Sequence, residues 1–262
     1  MPPLPRLFAY LALGLVAGFL SGLFGVGGGI LIVPALVILL GFEQKRATGT
    51  SLLAVAPISL VGMIAYLLQD SVDWRIGIPL AIGMVAGGVL GSWLLAKLPA
   101  IIVTWVFIAV MVAVAIRLFF EEPVRGVERE LGWLDIVILV LFGVFTGVLA
   151  GLVGVGGGII IVPSLIVFWG VGDLVAKGAS LVAMVPNAFT TSIQNLLRKN
   201  ADLSAGLTIG IAGAASTFLG SWAAFAIDPR LGAILFAVFL LIVAVQLIVR
   251  TLRTMRKQRG TA

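Results

Sequence analysis

The chain has neither cysteine nor histidine among its 262 residues, and only 11% of them are charged. Lacking thiols and imidazoles, it has no means to build a disulfide framework, a thiolate nucleophile, haem ligation, an ordinary zinc site or a histidine proton relay. No cofactor is expected. The scarcity of charge excludes a soluble globular domain, in which about a quarter of residues are charged. Long polar stretches are missing as well. The longest is 121–132, too short for a soluble domain between apolar segments. Apolar residues make up 61% of the chain and mean hydropathy is +1.23, which describes an all-α polytopic membrane protein. After Arg6 the apolar run has no small-residue cleavage site, so it reads as a first transmembrane element rather than a signal peptide.

The formal net charge is +6. Much of it lies in Arg250, Arg253, Arg256, Lys257 and Arg259, a basic tail suited to the cytoplasmic leaflet and its anionic lipid. No aromatic or globular platform accompanies these cations, so nucleic acid is not an expected partner.

The sequence repeats itself. Residues 18–93 align without a gap on 147–222, an offset of 129. The run Gly25-Val26-Gly27-Gly28-Gly29 returns letter for letter as Gly154-Val155-Gly156-Gly157-Gly158, each with a Pro five residues on (Pro34, Pro163). Asp73 matches Asp202, and Gly91-Ser92-Trp93 matches Gly220-Ser221-Trp222. Each copy carries five apolar segments: 7–24, 28–41, 47–68, 75–97 and 100–120, then 133–153, 157–171, 176–197, 204–226 and 230–250. The chain therefore divides into a first transmembrane repeat (1–120), a polar linker (121–132), a second repeat (133–250) and the basic tail (251–262).

An odd number of crossings per copy inverts the second copy relative to the first and returns both termini to one side. The cytoplasmic connections would hold Arg6, Lys45, Arg46, Lys97, Arg198 and Lys199. On the other side acids match or outnumber bases, with Asp70, Asp73 and the four glutamates of the linker. The second segment of each copy is shorter than the roughly 20 residues a spanning helix needs. Ten crossings are expected if it spans and about eight if it only dips in and out; ten is the preferred reading.

Glycines at four-residue spacing (Gly14, Gly18, Gly22; Gly83, Gly87, Gly91; Gly143, Gly147, Gly151) let helices approach closely in lipid. Packing within one protomer and a homodimer interface both fit them.

Candidate site residues follow from the breaks. Gly27, Gly28 and Gly29, and Gly156, Gly157 and Gly158, open the short segments, so their N–H groups stand at helix N-termini where an anion is stabilised without a charged side chain. Broken helices at matching places in two repeats are also the sequence pointer to a transporter's binding site. Tight helix crossing is the competing account. Thr50, Ser51 and Ser180 lie near helix starts, able to cap the helix or meet a substrate oxygen. After Pro186 the second copy alone carries Asn187, Thr191, Gln194 and Asn195 at helical spacing. Asn187 and Thr191 are the best side-chain candidates for substrate, with interhelical hydrogen bonding as the alternative.

Ionisable residues are absent from the apolar cores. Lys177, Arg198, Arg75 and Asp73 fall at segment ends, where snorkelling accounts for the cations and helix capping for Asp73 and Asp202. No Ser/Lys or paired-acid arrangement supports intramembrane catalysis, so an enzyme is not expected.

With Gly22-Leu23-Phe24 before the first break, Ala47-Thr48-Gly49-Thr50-Ser51-Leu52 and Val72-Asp73-Trp74-Arg75, these motifs resemble the sulfite exporter TauE/SafE family, the TSUP transporters. The resemblance implies a bacterial inner-membrane exporter or permease of sulfite, sulfonates such as sulfoacetate, or related anions. It also implies about eight spans from a duplicated half. Many members carry a His where this chain has Tyr66, so no role of that His transfers. The expected function is alternating access around an anion held at the two breaks. A passive anion channel and a non-transporting scaffold subunit are the alternatives.

Overall fold

The computed structural model describes residues 4–94 and 131–259, together with positions 105, 108, 109, 111–113, 115, 116, 119 and 120. The fifth segment of the first repeat for the most part, residues 121–130 of the linker and the side chains of the basic tail lie outside the described residues. The described chain is helical, without strands.

The first repeat supplies α1 (Leu4–Phe24), α2 (Gly29–Ile38), α3 (Gln44–Leu67) and α4 (Trp74–Leu94). Next come α5 (Trp133–Val153), α6 (Gly158–Trp169), α7 (Asp173–Leu197), α8 (Leu203–Ala226) and α9 (Pro229–Arg259). Helices α1 to α4 begin 129 residues before α5 to α8, so the duplication in sequence is a duplication of structure. Six of the described helices (α1, α3, α4, α5, α8 and α9) are long and apolar enough to cross a membrane. This is a multi-pass membrane protein.

Helix boundaries have local causes. Gly25 (φ 71°) and Gly154 (φ 80°) adopt the left-handed region and donate back to Ser21 and Ala150, closing α1 and α5. Asp202 caps α8 by accepting from the Ala205 N–H at 3.1 Å, and Asp73 accepts from the Arg75 N–H at 2.8 Å at the start of α4.

Directions follow from which glycines meet which backbone. Gly14 abuts Ile209 to Gly213, Gly18 abuts Gly213, and Gly22 abuts Thr217 to Ser221, so α1 and α8 run parallel. Gly83, Gly87 and Gly91 meet Val140, Val144 and Val148 in the same order, so α4 and α5 are parallel too. In contrast, Gly49 of α3 meets Asn195 and Asn200, while Gly178 of α7 meets Ser71, so α3 and α7 are antiparallel. Since α3 and α7 are equivalent, the two repeats are inverted. The four-spaced glycines are consumed between repeats, where a side-chain carbon on Gly18 or Gly87 would overlap a facing carbonyl.

Neither second segment forms a helix long enough to cross. Helix α2 has 10 residues and α6 has 12, about 15 and 18 Å at 1.5 Å per residue, against a hydrocarbon core of roughly 30 Å. Gly28 lies back against the Ala17 carbonyl, 2.7 Å from where its Cβ would stand, so α2 folds back along α1. Gly157 stands likewise near Thr146 and Ala150 of α5, so each short helix starts back beside the helix before it. The parity is unchanged, and α1, α3 and α8 all begin at one end of the bundle. Lys45, Arg46, Arg198 and Lys199 lie there, and Arg46 bridges to Asp202 at 2.8 Å. We call it the basic end.

Candidate functional site: two glycine breaks crossing at the centre

The two breaks pass each other in opposite directions. Gly29 lies against Gly154 and Val155, and Gly158 against Gly25 and Val26. Gly27 and Gly156 both face the Met184 methyl group and Val55. Val55 and Met184 are equivalent across the offset of 129 and stand about midway along α3 and α7. All ten residues, Gly25–Gly29 and Gly154–Gly158, are buried.

Glycine is required here for two separate reasons. Gly27, Gly28, Gly156 and Gly157 have φ between 74° and 89°, a region costing an ordinary L-residue about 1–2 kcal/mol. A Cβ would also crowd neighbours, standing 2.8 Å from the Met84 methyl at Gly157 and 2.6 Å from the Gly25 carbonyl at Gly158.

Among the described residues, no turn, cap or loop hydrogen bond is donated by the N–H groups of Gly27, Gly28 and Gly29 or of Gly156, Gly157 and Gly158. Buried backbone donors are paired in the great majority of cases. Backbone donors at helix N-termini are the groups an anion would use, which makes the two breaks candidate positions for one.

The hydroxyls are placed differently from the glycines. Ser51 Oγ donates to the Gly154 carbonyl at 2.9 Å, and its equivalent Ser180 donates to the Gly25 carbonyl at 3.0 Å. Each therefore ties its helix to the opposite repeat's break, a reciprocal pair. Thr50 Oγ1 accepts from the Asp202 N–H at 2.9 Å, pinning the start of α8 to α3. Thr191 Oγ1 donates to the Asn187 carbonyl on its own helix at 2.7 Å.

Asn187 is the exception. It is fully buried beside Gly88 of α4, one turn from Met184, and neither side-chain Oδ1 nor Nδ2 has a hydrogen-bond partner. A buried amide left unpaired costs about 1–3 kcal/mol, so the position is a candidate contact for a polar guest. The polar face of α7 continues from Asn187 toward the basic end. Asn195 donates to the Thr191 carbonyl at 2.8 Å, Ser92 donates to Gln194, and Arg198 donates to the Ser92 carbonyl at 2.8 Å. At that end a cavity of about 590 Å³ is lined by Glu43, Lys45, Arg46, Lys199 and Asn200, among others.

Two features escaped the sequence. Lys177 does not snorkel: it is 6% exposed and donates to Asp173, itself 4% exposed, at 3.3 Å. Lys177 does stand near the start of α7, as expected, but the snorkelling account of it fails because the pair is buried. Thr48, the position equivalent to Lys177, is buried against Gly154 with an unpartnered hydroxyl. The signal was available in the aligned repeats, where Gln44 and Thr48 stand opposite Asp173 and Lys177. Tyr66 is fully buried and its hydroxyl donates to the Gly22 carbonyl at 2.8 Å, which anchors the last turn of α1.

An inverted pair of helical repeats with broken helices meeting at the centre is the architecture of a class of secondary membrane transporters. Residues 138–262 match the model of the family described as sulfite exporter TauE/SafE, and the chain is similar to that family through its second repeat. A probable membrane transporter protein of Xylella fastidiosa (strain 9a5c) is 37% identical over 113 residues, covering 42% of this chain and 43% of that protein. The probable membrane transporter protein YunE of Bacillus subtilis is 32% identical over 111 residues, 42% of this chain and 41% of its own. YjnA of the same organism is 28% identical over 220 residues, 76% and 86% of the two chains. The matched part thus spans less than half the length of the first two relatives. All three are named as transporters rather than enzymes. No solved structure matches.

Proposed function

We propose that the chain is a permease for small sulfur-containing oxyanions, sulfite or a sulfonate, working by alternating access with the anion held at the two glycine breaks. The observation that carries this reading is the antiparallel crossing of Gly25–Gly29 and Gly154–Gly158, where buried N–H groups from both repeats lack acceptors. Such donors favour an anion by geometry and helix dipole, with selectivity set by size and by hydrogen-bond acceptors on the guest. Asn187 supplies an adjacent amide from one repeat only, so the substrate meets unequal halves. The family resemblance and the relatives' names support transport, and the family's description supports a sulfur oxyanion.

Alternating access suits the packing. The first and fourth helices of opposite repeats contact through small residues, α1 on α8 and α4 on α5, with Ser216 and Thr217 of α8 donating to the Leu15 and Gly18 carbonyls of α1 at 2.7 and 3.1 Å, so each pair can move as one body against α3 and α7. The basic end faces the cytoplasm of a bacterial inner membrane by the positive-inside rule, placing both termini there, with the basic tail on anionic lipid.

The test is uptake by proteoliposomes of the full chain over a panel of sulfite, sulfonates, sulfate and thiosulfate, with and without a pH gradient. Saturable uptake of sulfite or a sulfonate is the expected result. Large unitary currents without saturation would indicate a channel, and no movement of any of the four would refute transport of this class.

A further inference from the structure

The buried Asp173–Lys177 pair has no counterpart in the first repeat. Equivalent backbone there, at the start of α3, carries Gln44 and Thr48 and folds into the same helix against the same kind of break. The fold by itself therefore does not require two charges at this place. Their burial is costly, since removing an ion from water carries a penalty of several kcal/mol that mutual attraction only partly offsets. Charges retained at membrane depth mark functional sites by default.

Position points to what the charges do. A Cβ on Gly25 would lie 2.8 Å from Lys177 Cα and Cβ, so the lysine stem runs directly beside the first repeat's break. One turn further along α7, Ser180 holds the Gly25 carbonyl. On the other break the equivalent position holds Thr48, buried with an unpartnered hydroxyl. Besides its serine, each glycine break thus has a second polar residue against it, cationic on the side away from the basic end and neutral on the other.

Resting on the permease reading above, we propose that Lys177 is the counter-charge of the transported oxyanion on its way between the glycine breaks and the end away from the basic residues. Asp173 holds the ammonium when no anion is present. The anion displaces the carboxylate from Lys177, and the carboxylate takes the ammonium back when the anion leaves. No covalent bond changes. The exchange makes the approach to the breaks selective for anions without leaving a bare cation in the interior.

The first repeat supplies its own control. The double variant Asp173→Gln/Lys177→Thr installs the Gln44 and Thr48 pair and removes both charges together, so neither is left facing the other's neutral replacement. In proteoliposomes, half-saturating sulfite should rise about tenfold or more, the scale of one hydrogen bond to a charged group. Stabilisation of the purified protein by sulfite in thermal melting should be lost, while the melting temperature without sulfite is kept or raised. Lys177→Arg, which keeps the charge, should retain sulfite-dependent stabilisation. Wild-type half-saturation in the double variant overturns the proposal, and so does a double variant that fails to fold, because the pair would then be structural. A wild-type protein that moves no oxyanion refutes the permease reading itself, which the variants do not bear on.

Discussion

At the scale of single residues, the serines and the asparagine make opposite demands on the structure. Ser51 and Ser180 spend their hydroxyls on carbonyls of the opposite break. Replacing either with Ala leaves a buried carbonyl short of a donor and should cost about 1 kcal/mol in stability. Because the two bonds are equivalent by symmetry, thermal melting in detergent should give similar losses for Ser51→Ala and Ser180→Ala. Asn187 gains nothing from the protein around it, as both of its polar atoms are unpartnered. Asn187→Leu should therefore leave the melting temperature unchanged or raise it, yet weaken oxyanion uptake. A stability loss without a transport loss would make it a structural residue. The glycines are poor reporters of binding, since strain and overlap occur together. Gly28→Ala should lower stability by about 1–2 kcal/mol or more from its left-handed backbone alone, checked by yield and melting temperature before any transport assay.

At the scale of elements, the informative units are the short helices α2 and α6. Their sequences are among the most apolar in the chain, and hydropathy alone would let them enter a bilayer. What they lack is length, and what directs them back is the left-handed backbone at Gly27, Gly28, Gly156 and Gly157. This predicts a labelling pattern on the cysteine-free chain. Single cysteines at Gln44 and Asn200 should react with a bulky impermeant maleimide from one side, and a cysteine at Val72 from the other. Cysteines at Val26 and Val155, which are 0% and 3% exposed, should be protected from both sides. Reaction of Val26→Cys from the side that labels Val72 would instead mean that α1 and α2 each cross completely.

For the whole molecule, inversion places the two breaks in register across a pseudo-two-fold axis near Val55 and Met184. The scaffold is symmetric and the chemistry is not. The second repeat alone contributes Asn187, Asp173 and Lys177, while the first offers Ile58, Gln44 and Thr48 at the same places. Duplication followed by such divergence leaves equivalent backbone positions of the two repeats with different polar side chains.

Much of this was legible from the chain alone. Membrane character followed from composition, because apolar surface and the scarcity of charge are additive along a sequence. The duplication and the position of the breaks followed from matched letters. Inversion followed from parity and charge asymmetry, and it holds whether the short helices cross or return, since a hairpin adds no net crossing. The tertiary structure alone decided what depends on distant partners. Whether α2 spans or turns back is fixed by the opposite break and by Ala17, not by its own hydropathy. Whether Ser51 serves substrate or scaffold is fixed by a carbonyl 103 residues away. Whether Lys177 snorkels or is buried depends on the break of the first repeat, which covers it. Local propensity acts over a few residues, whereas hydrogen-bond satisfaction and burial are settled by whatever the fold brings within about 3–4 Å.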